Sequence, residues 1–257
     1  MPYELEFDES FEGEALDLSR WVPHYLPHWS SRERSRARYD VRDGCLRLLI
    51  EDDQEPWCPE FAGNAGVSSL QTGAFAGALG SPTGQHRFNP EAVVREEQPN
   101  VRLYTPLYGR IELRAKAIDD PRAMVALWMI GYEDEPERSG EICVCEIFGR
   151  DVAHDRVKVG VGVHPHGDAS ITDDFSQETV AIDARDFHVY AAEWTPDQVT
   201  FLVDGEVIKT VGQSPTYPMQ LMLSIFYDLP EPEADDPPTT YPKEFAVDYV
   251  RGYRLVD

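Results

Sequence analysis

Short apolar runs separated by turn-forming residues dominate this chain. Its 20 prolines and 18 glycines recur at short intervals, and the runs between them are rich in the β-branched and aromatic residues that favour strands. Apolar and polar residues alternate, as they do in half-buried strands, at 44–50, 110–118, 156–163, 188–194, 199–203 and 245–255. Only 90–98 approaches a helical period, and it is short. The pattern predicts an all-β antiparallel sandwich or barrel.

The segment 203–207 gives the strongest local signal. In it, Asp204 and Gly205 lie between two apolar runs, and an Asp-Gly pair supplies the positive φ values of a two-residue hairpin turn. We therefore predict a hairpin there. Because the chain has no internal repeat and no linker that separates two cores, we expect one domain over residues 1–257.

The charge of the chain restricts its partners. Asp and Glu number 47 against 23 Lys and Arg, which gives a formal net charge of -24. Such a surface repels the phosphates of nucleic acid and anionic lipid head groups, so neither nucleic acid nor a membrane is expected as a partner. The one basic cluster is formed by Arg32, Arg34, Arg36 and Arg38. Two interpretations of it are open: a solvated segment paired with nearby acids, or a contact for an anionic sugar.

Targeting signals and disulfides are not apparent in the sequence. The apolar runs are too short to span a bilayer, and the acidic start at 1–6 lacks the basic and then apolar order of a signal peptide. We expect a soluble monomer, cytoplasmic as the chain is written or secreted if the chain is a processed form. Cys143 and Cys145 are too close in a strand to bridge easily, so reduced thiols are expected, with a Cys45–Cys58 pair left open.

Two glutamates interrupt the apolar segment 139–150, SGEICVCEIFGR. Buried carboxylates need a compensating role. Glu141 and Glu146 are five residues apart, so they share one strand face only if a β-bulge inserts a residue between them. With the bulge, two carboxyl groups converge in one cleft, as in a glycosidase. Without it, Glu141 faces the core and Glu146 faces solvent. The spacing alone leaves both arrangements open.

This segment resembles the signature of glycoside hydrolase family 16, the laminarinase, lichenase and agarase family, whose bulged form reads Glu-x-Asp-x-x-Glu. Here it reads Glu-Ile-Cys-Val-Cys-Glu over 141–146. Further family-like segments follow in the family's order over nearly the whole chain, at 11–21, 43–48, 108–114, 126–129, 190–195, 204–205, 217–219 and 247–251. The resemblance implies a concave antiparallel β-sandwich jelly roll of the concanavalin A-like type, with the carboxylate strand in the middle of the cleft-forming sheet.

The resemblance implies a retaining endo-β-glycanase in which Glu141 is the nucleophile and Glu146 the general acid/base. A neutral β-glucan polysaccharide or oligosaccharide is the expected substrate, with β-1,3-glucan preferred. Acidic runs at 51–55, 133–137 and 228–236 fall in loops that rim the cleft in this family, and they disfavour sulfated or uronic polymers. The alternative from another class is a lectin-like carbohydrate-binding protein that uses the same cleft without catalysis.

Cys143 stands where the family has an aspartate that lies beside the nucleophile and tunes it. A thiol is a weaker hydrogen-bonding group than a carboxyl, and between two carboxylates it should stay neutral. Three consequences are open: an active enzyme with an altered tuning group, a cleft that binds sugar without cleaving it, and a redox-sensitive site.

Four further residues are candidates for contact with sugar, whose C–H faces stack on aromatic rings. Trp128 matches a family tryptophan that floors the substrate groove. Arg114 alternates with charged neighbours on one strand face and is expected to border the cleft. Trp29 is expected to form one wall, and His164 to reach the acid/base side.

A structural calcium ion on the convex side is also implied by the resemblance. Asp248 matches its late aspartate ligand and Gly44 one of its backbone carbonyl ligands, and oxygen-only ligation suits this hard cation. A zinc site is not expected, because His164 and His166 lack the spacing of zinc ligands and no second Cys pair accompanies Cys143.

Overall fold

The computed structural model describes residues 3–228, 236 and 239–256. Its sixteen strands are β1 (Tyr3–Glu9), β2 (Arg38–Arg42), β3 (Cys45–Ile50), β4 (Gly66–Gln71), β5 (Gly73–Ala74), β6 (Val101–Arg102), β7 (Gly109–Lys116), β8 (Ala123–Gly131), β9 (Glu141–Phe148), β10 (Val157–His164), β11 (Asp174–Val180), β12 (His188–Trp194), β13 (Val199–Val203), β14 (Glu206–Val211), β15 (Met219–Tyr227) and β16 (Lys243–Leu255). Helical structure in the described residues is limited to α1 (Pro59–Ala62) and two single turns, Pro27–Trp29 and Gly149–Asp151. The all-β prediction is confirmed.

Two antiparallel sheets pack face to face. The larger one has the order β14-β13-β12-β7-β16-β3-β2, with β1 also paired to β16, and the smaller one has the order β11-β10-β9-β8-β15-β4. Their inward faces form the main core, to which the larger sheet contributes Leu113, Tyr190 and Phe201 and the smaller sheet Ile142, Val161 and Leu223. The predicted sandwich is therefore present, and β9 lies inside the smaller sheet between β8 and β10.

Burial along the strands distinguishes the outer faces of the two sheets. In β7 of the larger sheet, buried and half-buried residues alternate, whereas every residue of β8 and β15 in the smaller sheet is buried. A second apolar cluster covers the outer face of the smaller sheet, and it includes Tyr25, Trp29, Trp57, Val94, Trp128 and Phe226. Most of these residues come from loops, which thus build walls over that face.

The local sequence signals agree with the strands except at one place. All six alternating segments form strands, and Asp204 and Gly205 turn between β13 and β14 with φ values of 49° and 85°. The segment 90–98 is not helical. Ala92 and Val94 instead pack into the second apolar cluster from an irregular stretch. Their apolar character therefore reflects burial in a loop and not one face of a helix.

Two further expectations concern membranes and thiols. Within the described part of the chain, no helix has the length and apolar character needed to cross a membrane. All four cysteines are free thiols, as predicted.

Candidate active site

Strand β9 carries a β-bulge between its two glutamates. In the ladder with β8, Trp128 pairs with Cys143 and Leu127 with Cys145, so Val144 is an extra residue without a partner. The register against β10 shifts at the same point. Because the extra residue restores the alternation on the far side of the bulge, both glutamates point to the outer face of the smaller sheet.

Glu141, Cys143 and Glu146 line one cavity of about 330 Å³. Its floor is the outer face of the smaller sheet, and its aromatic walls are contributed by Tyr25, Trp57, Phe88, Trp128 and Phe226. The two carboxyl groups could cleave a polar bond of a ligand, and the aromatic rings could stack on its flat C–H faces.

The half-buried Glu146 has the electrostatic character of a general acid. Burial, and secondly the charge of Glu141, raise its pKa to about 7, while His164 acts in the opposite direction. A carboxyl group with such a pKa keeps its proton close to neutral pH and can donate it to a leaving group.

Glu141 is in a different environment. Its Oε2 lies 2.9 Å from Nε2 of His166, and this hydrogen bond is the main cause that raises the pKa of His166. The ring of His86 meets the ring of His166 edge to face at 4.8 Å and that of Trp128 at 5.1 Å. Burial lowers the pKa of His86 to about 4, so this second imidazole is neutral.

Cys143 is buried beneath the cavity. Its Sγ lies 3.6 Å from the carbonyl oxygen of Gly160. Burial, followed by the charges of Glu146 and Glu141, raises the pKa of the thiol well above its usual value. The thiol is therefore neutral, as predicted, and a buried neutral thiol is a poor redox group.

A family model for the glycosyl hydrolases family 16 matches residues 103–250 of the 257. The chain belongs to this family. It is 27% identical over 190 residues to a β-glucanase from Rhodothermus marinus, with 58% of each chain covered. It is 28% identical to glucan endo-1,3-β-glucosidase A1 from Niallia circulans, with 97% of this chain but 38% of that protein covered. The chain thus spans only part of the length of these curated relatives.

Two solved structures extend the comparison to the fold. The GlcNAcα1-4Gal releasing endo-β-galactosidase from Clostridium perfringens superposes with a TM-score of 0.84 at 29% identity, covering 98% of this chain and 62% of that one. A laminarinase from Flavobacterium sp. UMI-01 superposes with a TM-score of 0.64 at 18% identity, covering 98% of this chain and all of the other. The predicted jelly roll is confirmed.

Trp128 and His164 lie in the cavity of this family 16 chain, as their predictions placed them. The indole Nε1 of Trp128 donates to Oγ of Ser224 at 3.3 Å, which fixes the ring against the sheet. His164 is stacked on Phe175 and its Nδ1 lies 3.0 Å from Oδ2 of Asp173. His164 lines the same cavity as Glu146.

Two other site predictions need correction. Trp29 is fully buried behind the cavity wall, where its Nε1 donates to the carbonyl oxygen of Gln85 at 2.7 Å. It supports the wall and does not line the cavity. Arg114 does not border the cleft, because β7 belongs to the larger sheet and the polar face of β7 is the outer one. There Arg114 pairs with Asp248 and lies over the ring of Phe187.

The residues of the predicted calcium site fit the ion only in part. The carboxylate of Asp248 is held by Arg114, and Gly44 lies in a turn with φ 66°. Glu9 adds an oxygen that the prediction lacked, because its Oε2 is buried without a hydrogen-bond partner. Glu9 pairs with Val250, two residues after Asp248 along β16. Glu9 is thus a further candidate ligand, and Asp248 could bind calcium only by releasing Arg114.

Among the described residues, one group of three His, Cys, Asp or Glu side chains has donor atoms close enough for a metal ion. The donor atoms of His86, Glu141 and His166 lie within 4.8 Å of one another. The hydrogen bond between Glu141 and His166 already accounts for the closeness of two of them.

Sequence reasoning missed three polar residues of the site. His166 follows His164 by two positions, but it lies beyond β10 at φ 46°, so strand alternation could not place it. His86 and Glu133 also lie in loops at positive φ, 47° and 58°. Oε1 of the buried Glu133 accepts the backbone N–H of His86 at 2.6 Å, and burial raises the pKa of Glu133 to about 7.

The charged segments lie only partly near the cleft. Arg34 pairs with Glu55 at 3.2 Å and Arg38 with Asp53 at 2.6 Å, in a groove away from the two glutamates. The basic cluster is therefore a solvated, paired segment, and it neutralises the acidic run 51–55. Glu133 lines a neighbouring pocket that shares His86, Phe88 and His166 with the cavity, and most of the run 228–236 lies outside the described residues.

Proposed function

We propose that this chain is a retaining endo-β-glycanase that cleaves a neutral β-glucan, with β-1,3-glucan as its first substrate. One observation carries the proposal. Two glutamates of one bulged strand line the same cavity in different environments: Glu146 has a pKa of about 7, and Glu141 is hydrogen-bonded to a histidine. In a pair of carboxyl groups that share a cleft, the one with the raised pKa serves as the acid and the other as the nucleophile.

In the first step, Glu146 donates its proton to the glycosidic oxygen as the bond from that oxygen to the anomeric carbon breaks. An oxygen of Glu141 forms a bond to the same carbon, which gives a covalent glycosyl-enzyme. In the second step, Glu146 takes a proton from water as the water oxygen bonds to the anomeric carbon. The ester bond to Glu141 then breaks and the carboxylate is regenerated.

The glucan assignment draws support from the relatives and from charge. The R. marinus and N. circulans proteins are a β-glucanase and a glucan endo-1,3-β-glucosidase by name. The net charge of -24 disfavours sulfated or uronic chains.

A β-galactoside is the second candidate substrate. The C. perfringens endo-β-galactosidase superposes with a TM-score of 0.84, against 0.64 for the Flavobacterium laminarinase, and it is the more similar of the two in sequence. The chemistry of Glu141 and Glu146 would be the same, and only the sugars held by the aromatic walls would differ.

A substrate panel tests both candidates. Reducing ends are measured after incubation with laminarin, lichenan and glycans that end in GlcNAcα1-4Gal, with Glu141→Gln as the inactive control. Cleavage of laminarin by the wild type, but not by Glu141→Gln, supports the glucanase. Cleavage of only the glycans that end in GlcNAcα1-4Gal supports the galactosidase. A first product of β configuration in proton NMR supports retention. If the protein binds one of these glycans but releases no reducing ends from any of them, the lectin-like alternative is favoured.

A further inference from the structure

Glu141 lacks the aspartate that accompanies the nucleophile in the family signature. Cys143 occupies that position, but its thiol lies at the carbonyl oxygen of Gly160 and is not bonded to Glu141. In the described part of the chain, the side-chain partner of Glu141 is His166, with Nε2 2.9 Å from Oε2. The nucleophile is therefore oriented from a different element.

The histidine is held in place by its own loop. His166 follows β10 and adopts φ 46°, and the next residue, Gly167, donates its backbone N–H to Oγ of Ser139 at 2.8 Å. The ring packs edge to face on His86. The Glu141 side chain is 13% exposed and that of His166 is 40% exposed, so water reaches the carboxylate less than the imidazole.

The charges around His166 favour the protonated ring. Glu141 faces it from β9, Glu133 from the loop after β8 and Asp173 from the loop before β11. The rings of His86 and His164 also contact His166, and burial keeps His86 neutral. The hydrogen bond to Glu141 raises the pKa of His166 more than burial lowers it.

Resting on the proposed function, we propose that His166 is the positioning residue of the nucleophile and replaces the aspartate that this chain lacks. Its N–H holds one carboxylate oxygen of Glu141, which leaves the other oxygen to bond to the anomeric carbon. The first step converts the carboxylate to an ester and removes its charge. In the second step the ester bond breaks, its electron pair returns to the carboxylate, and the His166 N–H stabilises the leaving group.

This role predicts unequal effects on the two steps. Loss of the hydrogen bond removes a donor aimed at charge that develops only as the carboxylate leaves, so hydrolysis of the glycosyl-enzyme should slow more than its formation. The probe is 4-nitrophenyl β-laminaribioside, or the corresponding β-galactoside if the galactoside arm of the panel is active. With His166→Phe, we expect a burst of about one equivalent of nitrophenol and a fall in kcat of at least about 10-fold. The fall in kcat/KM should be smaller.

Two further variants separate positioning from folding. His166→Gln keeps a neutral donor and should lie between His166→Phe and the wild type. His188→Gln is the matched control, because His188 also pairs with a carboxylate, Asp204, with Nδ1 2.7 Å from Oδ2, but lies on the larger sheet. It should turn over substrate like the wild type.

The outcomes distinguish this inference from the proposed function. An active wild type, together with His166 variants that lose kcat and kcat/KM equally and show no burst, would overturn the positioning role while leaving the glycanase intact. A wild type that cleaves no glycan of the panel would remove the proposed function itself.

Discussion

The thiol of Cys143 lies against the backbone carbonyl oxygen of Gly160, with Sγ 3.6 Å from that oxygen. The carbonyl is an acceptor, and after burial the charges of Glu146 and Glu141 are what raise the pKa of the thiol. A neutral, weakly donating group suits this position, whereas an anion would meet only acceptors and negative charge.

Cys143→Asp tests whether the thiol impairs the site. The new carboxyl group would be buried without a donor, so we expect the free energy of unfolding to fall by about 1–3 kcal/mol and kcat/KM not to rise. Urea unfolding and initial rates on the active glycan measure both quantities. Cys143→Ser, which keeps a small donor for the Gly160 carbonyl, is the control and should stay close to the wild type. A large gain in rate with Asp would show that the native thiol is a defect.

The pH dependence of cleavage should report Glu146. Burial and the charge of Glu141 raise its pKa to about 7, and only the protonated form can donate to the leaving oxygen. We therefore expect kcat/KM to fall as pH rises through about 7. Glu146→Gln should lower kcat/KM on a natural glycan by roughly 10²- to 10⁴-fold and abolish this alkaline limb. A limb that persists in the variant would assign the titration to another group.

Glu133 should make stability depend on pH. Burial raises its pKa from 4.5 to about 7, so the native state binds this proton more tightly than the unfolded chain does. The stability from this group is complete below about pH 4.5 and is lost as pH rises through about 7. Glu133→Gln keeps an acceptor for the His86 N–H, and it should be up to about 3 kcal/mol more stable than the wild type near pH 8.

At about pH 4.5 the same variant should match the wild type. Urea unfolding at the two pH values measures the difference, and Glu137→Gln, at an exposed position of the same loop, is the control. Equal stability of Glu133→Gln and wild type at both values would contradict the assignment.

Calcium binding can be tested through Glu9. Its buried Oε2 has no hydrogen-bond partner, and a cation there would stabilise only the folded state. We expect the melting temperature to be higher in calcium than in a chelator, and Glu9→Gln to remove the difference. Arg114→Gln, which frees the carboxylate of Asp248, should enlarge it. A wild-type melting temperature that does not respond to chelation would eliminate the calcium site.

The strands could be predicted because their signals are local. Alternation marked β3, β7, β10, β12, β13 and β16, and the turn chemistry of Asp204 and Gly205 marked the hairpin. The spacing of the two glutamates in β9 allowed either a bulge that puts both on one face or a regular strand that separates them. The resemblance to the family signature favoured the bulge.

Contacts between distant segments could not be predicted in the same way. Parity correctly gave Arg114 a polar strand face, but it does not say which of two sheets a strand joins, and Arg114 lies on the far one. His86 and His166 reach the site through loops at positive φ, and no periodic pattern records such positions. Trp29 was correctly assigned to the region of the cavity wall, but its full burial behind that wall depends on tertiary packing.

Because Val144 is unpaired, the orientation of the two glutamates of β9 depends on the number of residues between them. Deleting Val144 would leave the two glutamates four residues apart, a spacing at which a regular strand places both side chains on one face without a bulge. Straightening the strand while Val144 remains would instead turn Glu146 toward the core and remove the acid from the cavity. The residues between the two glutamates can therefore change in kind, as Cys143 demonstrates, while their number can change only together with the bulge. Among relatives that diverge in this strand, a spacing of five residues should accompany a bulge, and a spacing of four a regular strand.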